Sequence, residues 1–185
     1  MKSIVKSVYI LLSLFFLIYL SFLNPQFPDP PTDSLQSNEP ADTETETRRA
    51  YFTNYTREEV LVHYVNQLQK TTIWDIKIPT YRLNYPPEEA QTLIRDQTRS
   101  TFLEEIVHPF RESLFVNGFE PKVEKDTIFI DGKRWRQKII VRYVASNSVI
   151  RLILGILTLT LIYIVSKYTY LETSGFIKIL HKKWI

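Results

Sequence analysis

The chain has 185 residues, a formal net charge of +3 and an isoelectric point near 9.0. This length is enough for one ordinary domain with attachments, and it excludes two large hydrophobic cores. There is no cysteine, which excludes disulfides, thiolate metal sites, a cysteine nucleophile and a lipid-modified cysteine anchor.

The first predicted element is an apolar segment, Ser7–Leu23, that follows Lys2 and Lys6. Its roughly twelve Leu, Ile, Phe and Val residues favour insertion into a bilayer by about 4 to 7 kcal/mol. A cleaved signal peptide has a shorter apolar run and a small-residue cleavage site, whereas this run ends in SFLNP. Residues 1–23 are therefore predicted to be a short N-terminal end and an uncleaved transmembrane helix, a signal-anchor.

An acidic stretch comes next, over residues 24–47, with the sequence NPQFPDPPTDSLQSNEPADTETET. It is rich in Pro, Asp, Glu, Ser and Thr, contains no Lys or Arg, and has few residues to bury. This composition is typical of a disordered linker, stiffened by its prolines and repelled by anionic headgroups.

Residues 48–146 carry the pattern of a folded domain. A short strand is predicted at Ala50–Thr53, and a capping box of Thr56 and Glu59 opens a helix through residue 70. A strand is predicted over 71–83, with Trp74, Ile76 and Ile78 on one side and an end or sheet edge at Pro79. The full set of apolar residues on one face of the helix is Val60, Leu61, Tyr64, Val65 and Leu68.

A second, long helix is predicted from Pro86 to a stop at Asn117 and Gly118, with a kink at Pro109. Its later apolar stripe comprises Leu103, Ile106, Val107, Phe110 and Leu114. A hairpin then turns at Asp131 and Gly132. The predicted fold is α+β, a small membrane-proximal domain with a mostly antiparallel sheet and two helices, flanked by two transmembrane helices.

The last predicted strand has two contrasting faces. One carries Trp135, Gln137, Ile139, Val141 and Tyr143, and the other carries Arg134, Arg136, Lys138 and Arg142. This basic face could bind anionic lipid headgroups or an acidic partner. A solvated sheet face whose charges pair with Glu120, Glu124 and Asp126 explains it more simply. Nucleic acid is not expected as a partner.

A second transmembrane helix is predicted over 147–167, followed by a basic tail over 168–185. Arg151 and Lys167 are expected to extend towards the headgroups, and Gly155 to permit close packing against the first span. The membrane-flanking basic residues are Lys6, Arg151, Lys167, Lys182 and Lys183. Most lie near the two termini, which predicts cytoplasmic termini and an extracytoplasmic domain in the plasma membrane, although the basic strand face argues the other way.

Two similar patterns of Glu and His suggest a metal site as an alternative. They are Glu58, Glu59 and His63, and Glu104, Glu105 and His108. On helices, spacings of three or four residues would place these groups on one side, although only Glu105 and His108 have the spacing of a known metal scaffold. Solvated Glu and His pairs explain the patterns more simply, so no cofactor, metal ligand or catalytic residue is assigned.

These observations predict a membrane-anchored, non-catalytic protein whose domain is an interaction or assembly module. The expected partners are the lipid bilayer and a membrane protein or a second copy of the chain, and no small-molecule substrate is identified. No nucleophile elbow, zinc-protease motif, phosphate loop or dinucleotide motif is present, which argues against an enzyme. The alternatives are an envelope enzyme or metal-dependent sensor using the Glu and His helix faces, and an accessory subunit of a transporter or secretion complex.

Overall fold

The structure is a computed structural model that describes residues 2–24, 26–69, 72–73, 76–77, 80–86 and 100–183. The chain divides into two compact units, residues 24–146 and the pair of terminal segments on either side of them. The described residues form three α-helices: α1 (Lys2–Ser21), α2 (Arg57–Leu68) and α3 (Ser148–Lys183). The strands are β1 (Leu35–Gln36), β2 (Arg48–Thr53), β3 (Thr72–Ile73), β4 (Ile76–Lys77), β5 (Tyr81–Tyr85), β6 (Phe102–Val107), β7 (Ser113–Phe119), β8 (Ile128–Ile130), β9 (Lys133–Trp135) and β10 (Gln137–Val144).

A six-stranded sheet with the order β1-β2-β10-β7-β6-β5 forms the centre of the domain, and every neighbouring pair is antiparallel. Two further hairpins, β3 with β4 and β8 with β9, lie outside this sheet. The predicted α+β class with a mostly antiparallel sheet is therefore confirmed.

The main hydrophobic core lies between one face of the sheet and α2. Tyr64 of α2 packs in the same buried cluster as Tyr51, Ile106 and Ile139 of three different strands. Each fully buried side chain of this size contributes about 1.5 to 3 kcal/mol. The predicted apolar face of α2 is confirmed, since Val60, Leu61, Tyr64 and Leu68 are buried and Val65 is half-buried against them.

The capping box at the start of α2 is also present as predicted. The Thr56 hydroxyl accepts a hydrogen bond from the Glu59 amide, and the Glu59 carboxylate accepts one from the Thr56 amide. These two bonds satisfy backbone donors that have no partner within the first turn of a helix.

The prediction of a long helix from Pro86 to Asn117 is wrong where the structure describes the chain. Residues 102–107 and 113–119 are the paired strands β6 and β7, and residues 87–99 lie outside the described residues. Both faces of these strands are buried, with Ile106 on one and Leu103 on the other, so apolar residues do not simply alternate along them. That irregular spacing imitated a helical period.

The prediction of one strand over 71–83 is also wrong. The chain instead forms the β3–β4 hairpin, in which Ile73 pairs with Ile76, and then the separate strand β5. Trp74, Ile78 and Pro79 lie outside the described residues.

The predicted turn at Asp131 and Gly132 is confirmed. Both residues have positive φ values, 53° and 75°, which is the backbone of a two-residue type I′ hairpin turn. The single strand predicted after this turn is two strands in the structure. Arg136 separates β9 from β10, and the two belong to different sheets.

The acidic stretch 24–47 is not a disordered linker in the structure. β1 pairs with β2, and a short 3-10 helix follows at Pro40–Asp42. Asp42 is buried, and its carboxylate accepts hydrogen bonds from Ser37 and from Lys138 of β10. Asp33 accepts hydrogen bonds from the Thr53 hydroxyl and the Asn54 amide. Composition alone concealed these contacts because they join polar side chains to the edge of the sheet.

The second unit consists of α1 and α3, which pack antiparallel to each other. Both helices are long and apolar enough to cross a membrane, over Ser3–Ser21 and Ser148–Gly175, and most of their side chains are exposed. The Tyr9 hydroxyl donates a hydrogen bond to the Leu159 carbonyl over 2.5 Å. A Cβ atom on Gly155 would lie 2.5 Å from the Leu20 Cδ1, so Gly155 does permit the close approach that was predicted.

The predicted extension of Arg151 towards the headgroups stays a prediction. Its side chain is buried, and its Nη2 donates a hydrogen bond to the Phe22 carbonyl over 2.6 Å, at the end of α1. A guanidinium is favoured there by the partial negative charge of a helix C-terminus. The basic tail predicted over 168–185 is not separate from the second apolar helix, since α3 continues from Ser148 to Lys183, about 54 Å for 36 residues.

Candidate interaction site

The predicted basic face of the last strand is the first surface to consider. Along β10 the predicted apolar face is confirmed, with Gln137, Ile139, Val141 and Tyr143 buried, although Ile140 on the other face is buried as well. However, Arg134 belongs to β9, and Arg136 is the single residue of the chain between β9 and β10. About 20 Å of extended strand separates Arg136 from Arg142. The four basic residues therefore do not form one patch, and their contact with lipid or a partner stays a prediction.

The Lys138 side chain forms ion pairs within the domain. Its ammonium lies 2.7 Å from the Asp42 carboxylate and 2.8 Å from that of Glu39, and the side chain is 19% exposed. Burial alone would lower the pKa of Lys138, but hydrogen bonds to Asp42 and Glu39 outweigh it and raise that pKa. Lys138 thus connects the acidic stretch 24–47 to the sheet through two ion pairs.

Arg136 and Arg134 border a polar cleft of about 500 Å³ at the end of the sheet where β10 begins. The Arg136 Nε lies 2.8 Å from a Glu120 carboxylate oxygen, as the prediction of a paired, solvated face required. Both side chains of this pair are well exposed, so it contributes less than about 1 kcal/mol. Nothing in this cleft selects a particular ligand.

The membrane-flanking lysines are exposed wherever the structure describes their side chains, at Lys6 and Lys167. Lys182 and Lys183 lie in the last turns of α3, and the structure describes their backbone alone. Arg151 differs from these lysines because it contacts the end of α1.

The Glu and His patterns do not form the predicted pair of helical faces. Glu104, Glu105 and His108 follow one another on and just after β6, so Glu104 and Glu105 point to opposite faces of the sheet. Glu104 forms ion pairs with Arg57 and Arg82, while Glu105 accepts a hydrogen bond from Tyr85.

The histidines are separately engaged. The His108 ring contacts the Leu68 carbonyl over 3.0 Å, and the His63 ring contacts the Asp29 carbonyl over 2.9 Å. Within the described ranges of the chain, no group of three or more His, Cys, Asp and Glu side chains could hold a metal ion. The helical geometry on which the metal alternative depended is therefore wrong.

The edge of the sheet at β5, with which no further described strand pairs, is a site that the sequence analysis missed. β5 is the last of the six strands and pairs on one side with β6. Tyr81 is 57% exposed and Leu83 is 46% exposed, although both are large and apolar or aromatic. At the opposite edge, β1 has only two residues. An edge strand presents main-chain N–H and C=O groups that can pair with another strand.

The two faces of β5 differ in character. Tyr81, Leu83 and Tyr85 share one face, and Arg82 and Asn84 share the face that α2 covers. The Arg82 guanidinium lies 2.9 Å from the Glu58 carboxylate and 3.6 Å from that of Glu104. The hydrogen bond to Glu58 is the main reason that the pKa of Arg82 is raised. Arg82 is therefore held in place by its partners on this strand edge.

A cleft of about 340 Å³ adjoins the end of β5. It is bordered by Asn84, Tyr85, Pro86 and Arg57, and on its far side by residues 100–102. The Arg57 guanidinium lies 5.0 Å from the centre of the Phe102 ring and pairs with buried Glu104. The described part of the chain thus offers one continuous surface, the β5 edge together with this cleft, where main-chain groups and exposed apolar side chains occur side by side.

Comparison with protein-family models, with curated proteins and with solved structures finds no match for this chain. Arguments about its function therefore depend on its own residues.

Proposed function

We propose that this protein is a membrane-anchored, non-catalytic interaction module that binds an extended segment of another protein along β5. In this proposal α1 and α3 span the plasma membrane, both termini are cytoplasmic, and the domain lies outside the cytoplasm. The observation that carries the proposal is the edge strand Tyr81–Tyr85, which is exposed from Tyr81 to Asn84.

Strand addition matches the chemistry of this edge. An added strand would pair with the outward N–H and C=O groups of β5, and main-chain hydrogen bonds supply affinity in such complexes. Its side chains would alternate between the two faces, as those of β5 do. Exposed Tyr81 and Leu83 would then be covered by apolar side chains of the added segment.

The local charge indicates what kind of segment fits. Arg57 and Arg82 stand beside Glu58 and Glu104, so the positive and negative charges on the α2 side of the edge balance. A highly charged segment would gain nothing from this balance. We expect a segment with apolar residues at every second position and uncharged polar residues between them.

A second copy of the chain fits the edge less well. In an antiparallel pairing of β5 with its symmetry mate, a twofold axis would place the two β10 ends at opposite ends of the joint sheet. Each β10 leads into α3 after Ala145, Ser146 and Asn147, so the two α3 helices would begin at opposite ends of the joint sheet. Two copies in one bilayer cannot easily adopt that arrangement, whereas a strand from another protein can.

Site-specific photo-crosslinking in native membranes tests this proposal. A photoreactive residue is placed at position 81, 83 or 85 of the full chain, or at the control position 62 on the outer side of α2. Val62 is 48% exposed, which matches the 46% of Leu83.

We expect positions 81, 83 and 85 to crosslink to residues spaced by two along one segment of one partner protein, with position 62 unreactive. That stepwise spacing would distinguish strand addition from a nonspecific collision. Crosslinks scattered over several proteins, or equally strong at position 62, would overturn the proposal. Crosslinks between two copies of the chain would replace the foreign partner with self-association.

A further inference from the structure

The turn between β6 and β7 carries an exposed aromatic residue in an unfavourable backbone conformation. Phe110 has a φ of 60° and is 75% exposed. Pro109 precedes it, and the Arg111 amide donates to the His108 carbonyl over 3.0 Å, which closes a four-residue turn. Glycine or asparagine normally occupies such a position, because a bulky side chain is strained there. Strain of this kind often accompanies function.

The residues beneath Phe110 hold the turn in this shape. His108 and Glu112 are fully buried and are joined by a main-chain hydrogen bond of 3.0 Å from the His108 amide. The Arg111 guanidinium lies 3.0 Å from the Glu112 carboxylate. Together with the contact between His108 and the Leu68 carbonyl, these bonds form a rigid base that presents Phe110 to the outside.

The strand register locates this turn at one particular end of the sheet. Val144, the last residue of β10, pairs with Ser113 of β7, Ser113 pairs with Val107 of β6, and Val107 pairs with Tyr81 of β5. The β6–β7 turn therefore lies at the end where β10 finishes. Val144 is 39% exposed at the same end of the sheet.

Chain length restricts the distance between this end and the start of the apolar helix. Three residues, Ala145 to Asn147, separate Val144 from the first residue of α3, and four Cα–Cα steps span at most about 14 Å. If α3 crosses a bilayer, the end of β10 lies within that reach of the point where α3 enters. The protruding Phe110 then comes near the headgroups.

We propose that Phe110, supported by Val144, inserts into the lipid interface and fixes the domain against the bilayer surface. The ligand is the boundary between headgroups and acyl chains, where aromatic side chains are favoured. This inference rests on the membrane anchoring in the proposed function, and it does not depend on the β5 partner.

The test uses the absence of native cysteine. Phe110→Cys, Phe129→Cys and Leu157→Cys are made singly in the full chain, labelled with an environment-sensitive fluorophore, and reconstituted in phosphatidylcholine vesicles that contain doxyl-labelled lipid. Phe129 is the matched control, because it is 64% exposed and lies in the β8–β9 hairpin, beyond the opposite end of β10. Leu157 lies within the apolar span of α3 and reports whether this helix is inserted.

We expect the label at position 157 to be quenched by deep doxyl groups, and the label at 110 to shift its emission to the blue and to be quenched by shallow ones. The label at 129 should show neither effect. If the label at 157 is quenched and the labels at 110 and 129 are equally unaffected, the interfacial role of Phe110 is overturned and the membrane anchoring stands. No quenching at 157 would overturn the membrane anchoring and this inference together. A third outcome is that the label at 110 is shielded in native membranes, where position 110 crosslinks to a protein, and is never shielded in pure lipid. The turn would then contact a protein, and the lipid contact would be rejected.

Discussion

Gly118 is the glycine at which an added side chain would meet its neighbour most closely. A Cβ atom at this position would lie 2.0 Å from Cε1 and 2.3 Å from Cζ of the Phe102 ring, which covers Gly118 across the strand pair. No sequence pattern revealed this contact, because it depends on where the Phe102 ring lies in the folded sheet. The residue was instead interpreted as a helix stop.

Gly118→Ala is therefore expected to destabilise the domain. The Phe102 ring must leave its position over Gly118, at a cost of about 1 to 3 kcal/mol. The urea midpoint of the full chain in detergent micelles measures the change. Gly175→Ala is the control, since no atom lies within 4 Å of its added Cβ, and its midpoint should not fall. An unchanged midpoint for Gly118→Ala would show that the ring moves freely.

Thr56→Ala removes the capping box of α2. We expect a loss of about 1 kcal/mol in the free energy of unfolding, the usual cost of losing a Thr cap. Thr56→Ser keeps a hydroxyl and should keep most of the stability. If the serine variant unfolds as easily as the alanine variant, the hydroxyl is not the source of the effect.

The capping box also predicts a dependence on pH. The amide and hydroxyl of Thr56 lower the pKa of Glu59 below its ordinary value of 4.5. A lowered pKa in the folded state means that folding favours the ionised carboxylate. The contribution is therefore present above pH 4.5 and is lost as the pH falls through the lowered folded pKa. In urea titrations, the stability difference between the native chain and Glu59→Gln, which has no carboxylate to titrate, should shrink over that acidic range; a constant difference would contradict the assignment.

At the scale of elements, the sequence predicted those structures whose cause is local. The capping box, the type I′ turn and the apolar face of β10 each depend on a few adjacent residues, and all are confirmed. The long helix predicted from Pro86 to Asn117 failed over residues 102–117 because its evidence was not local. Burial of Glu104 beside Arg57, on the same face as Ile106, depends on which element packs opposite, and that information is absent from a single strand.

The β5 edge could not be predicted for a similar reason. The sequence YRLNY shows a strand-like alternation, but whether a strand lies at the edge depends on the order of the strands in the sheet. That order is set by long-range pairing. The acidic stretch 24–47 was predicted to be disordered for the same reason. The basic residue that neutralises Asp42 is Lys138, about one hundred positions later in the chain.

Lys138 and Asp42 provide a test of whether the acidic stretch belongs to the folded domain. Lys138→Ala leaves the buried Asp42 carboxylate without this cation, and removing one partner of a buried pair costs about 3 to 5 kcal/mol. We expect the segment from Leu35 to Thr47 to become sensitive to limited proteolysis and to exchange its amide hydrogens faster.

Arg136→Ala is the matched control, because it removes an exposed pair and should change little. Equal protection of the acidic segment in all three proteins would mean that Lys138 does not hold it.

Across the whole molecule, the distribution of basic residues predicts which side of the membrane each segment faces. Basic residues such as Lys6 and Lys167 flank the spans on the predicted cytoplasmic side. In intact cells, a membrane-impermeant maleimide should label Glu124→Cys in the domain, whereas Ser3→Cys should react only after the cells are permeabilised. Both positions are exposed on the folded chain. The reverse pattern would place the domain and its β5 edge in the cytoplasm.

The central claim is that lipid surrounds both α1 and α3. Extraction of cell membranes with alkaline carbonate tests it most directly, since this treatment releases proteins held by surface contacts and leaves spanning helices in place. We predict that the full chain stays in the membrane pellet and enters the supernatant only with detergent. Release by carbonate alone would contradict the claim.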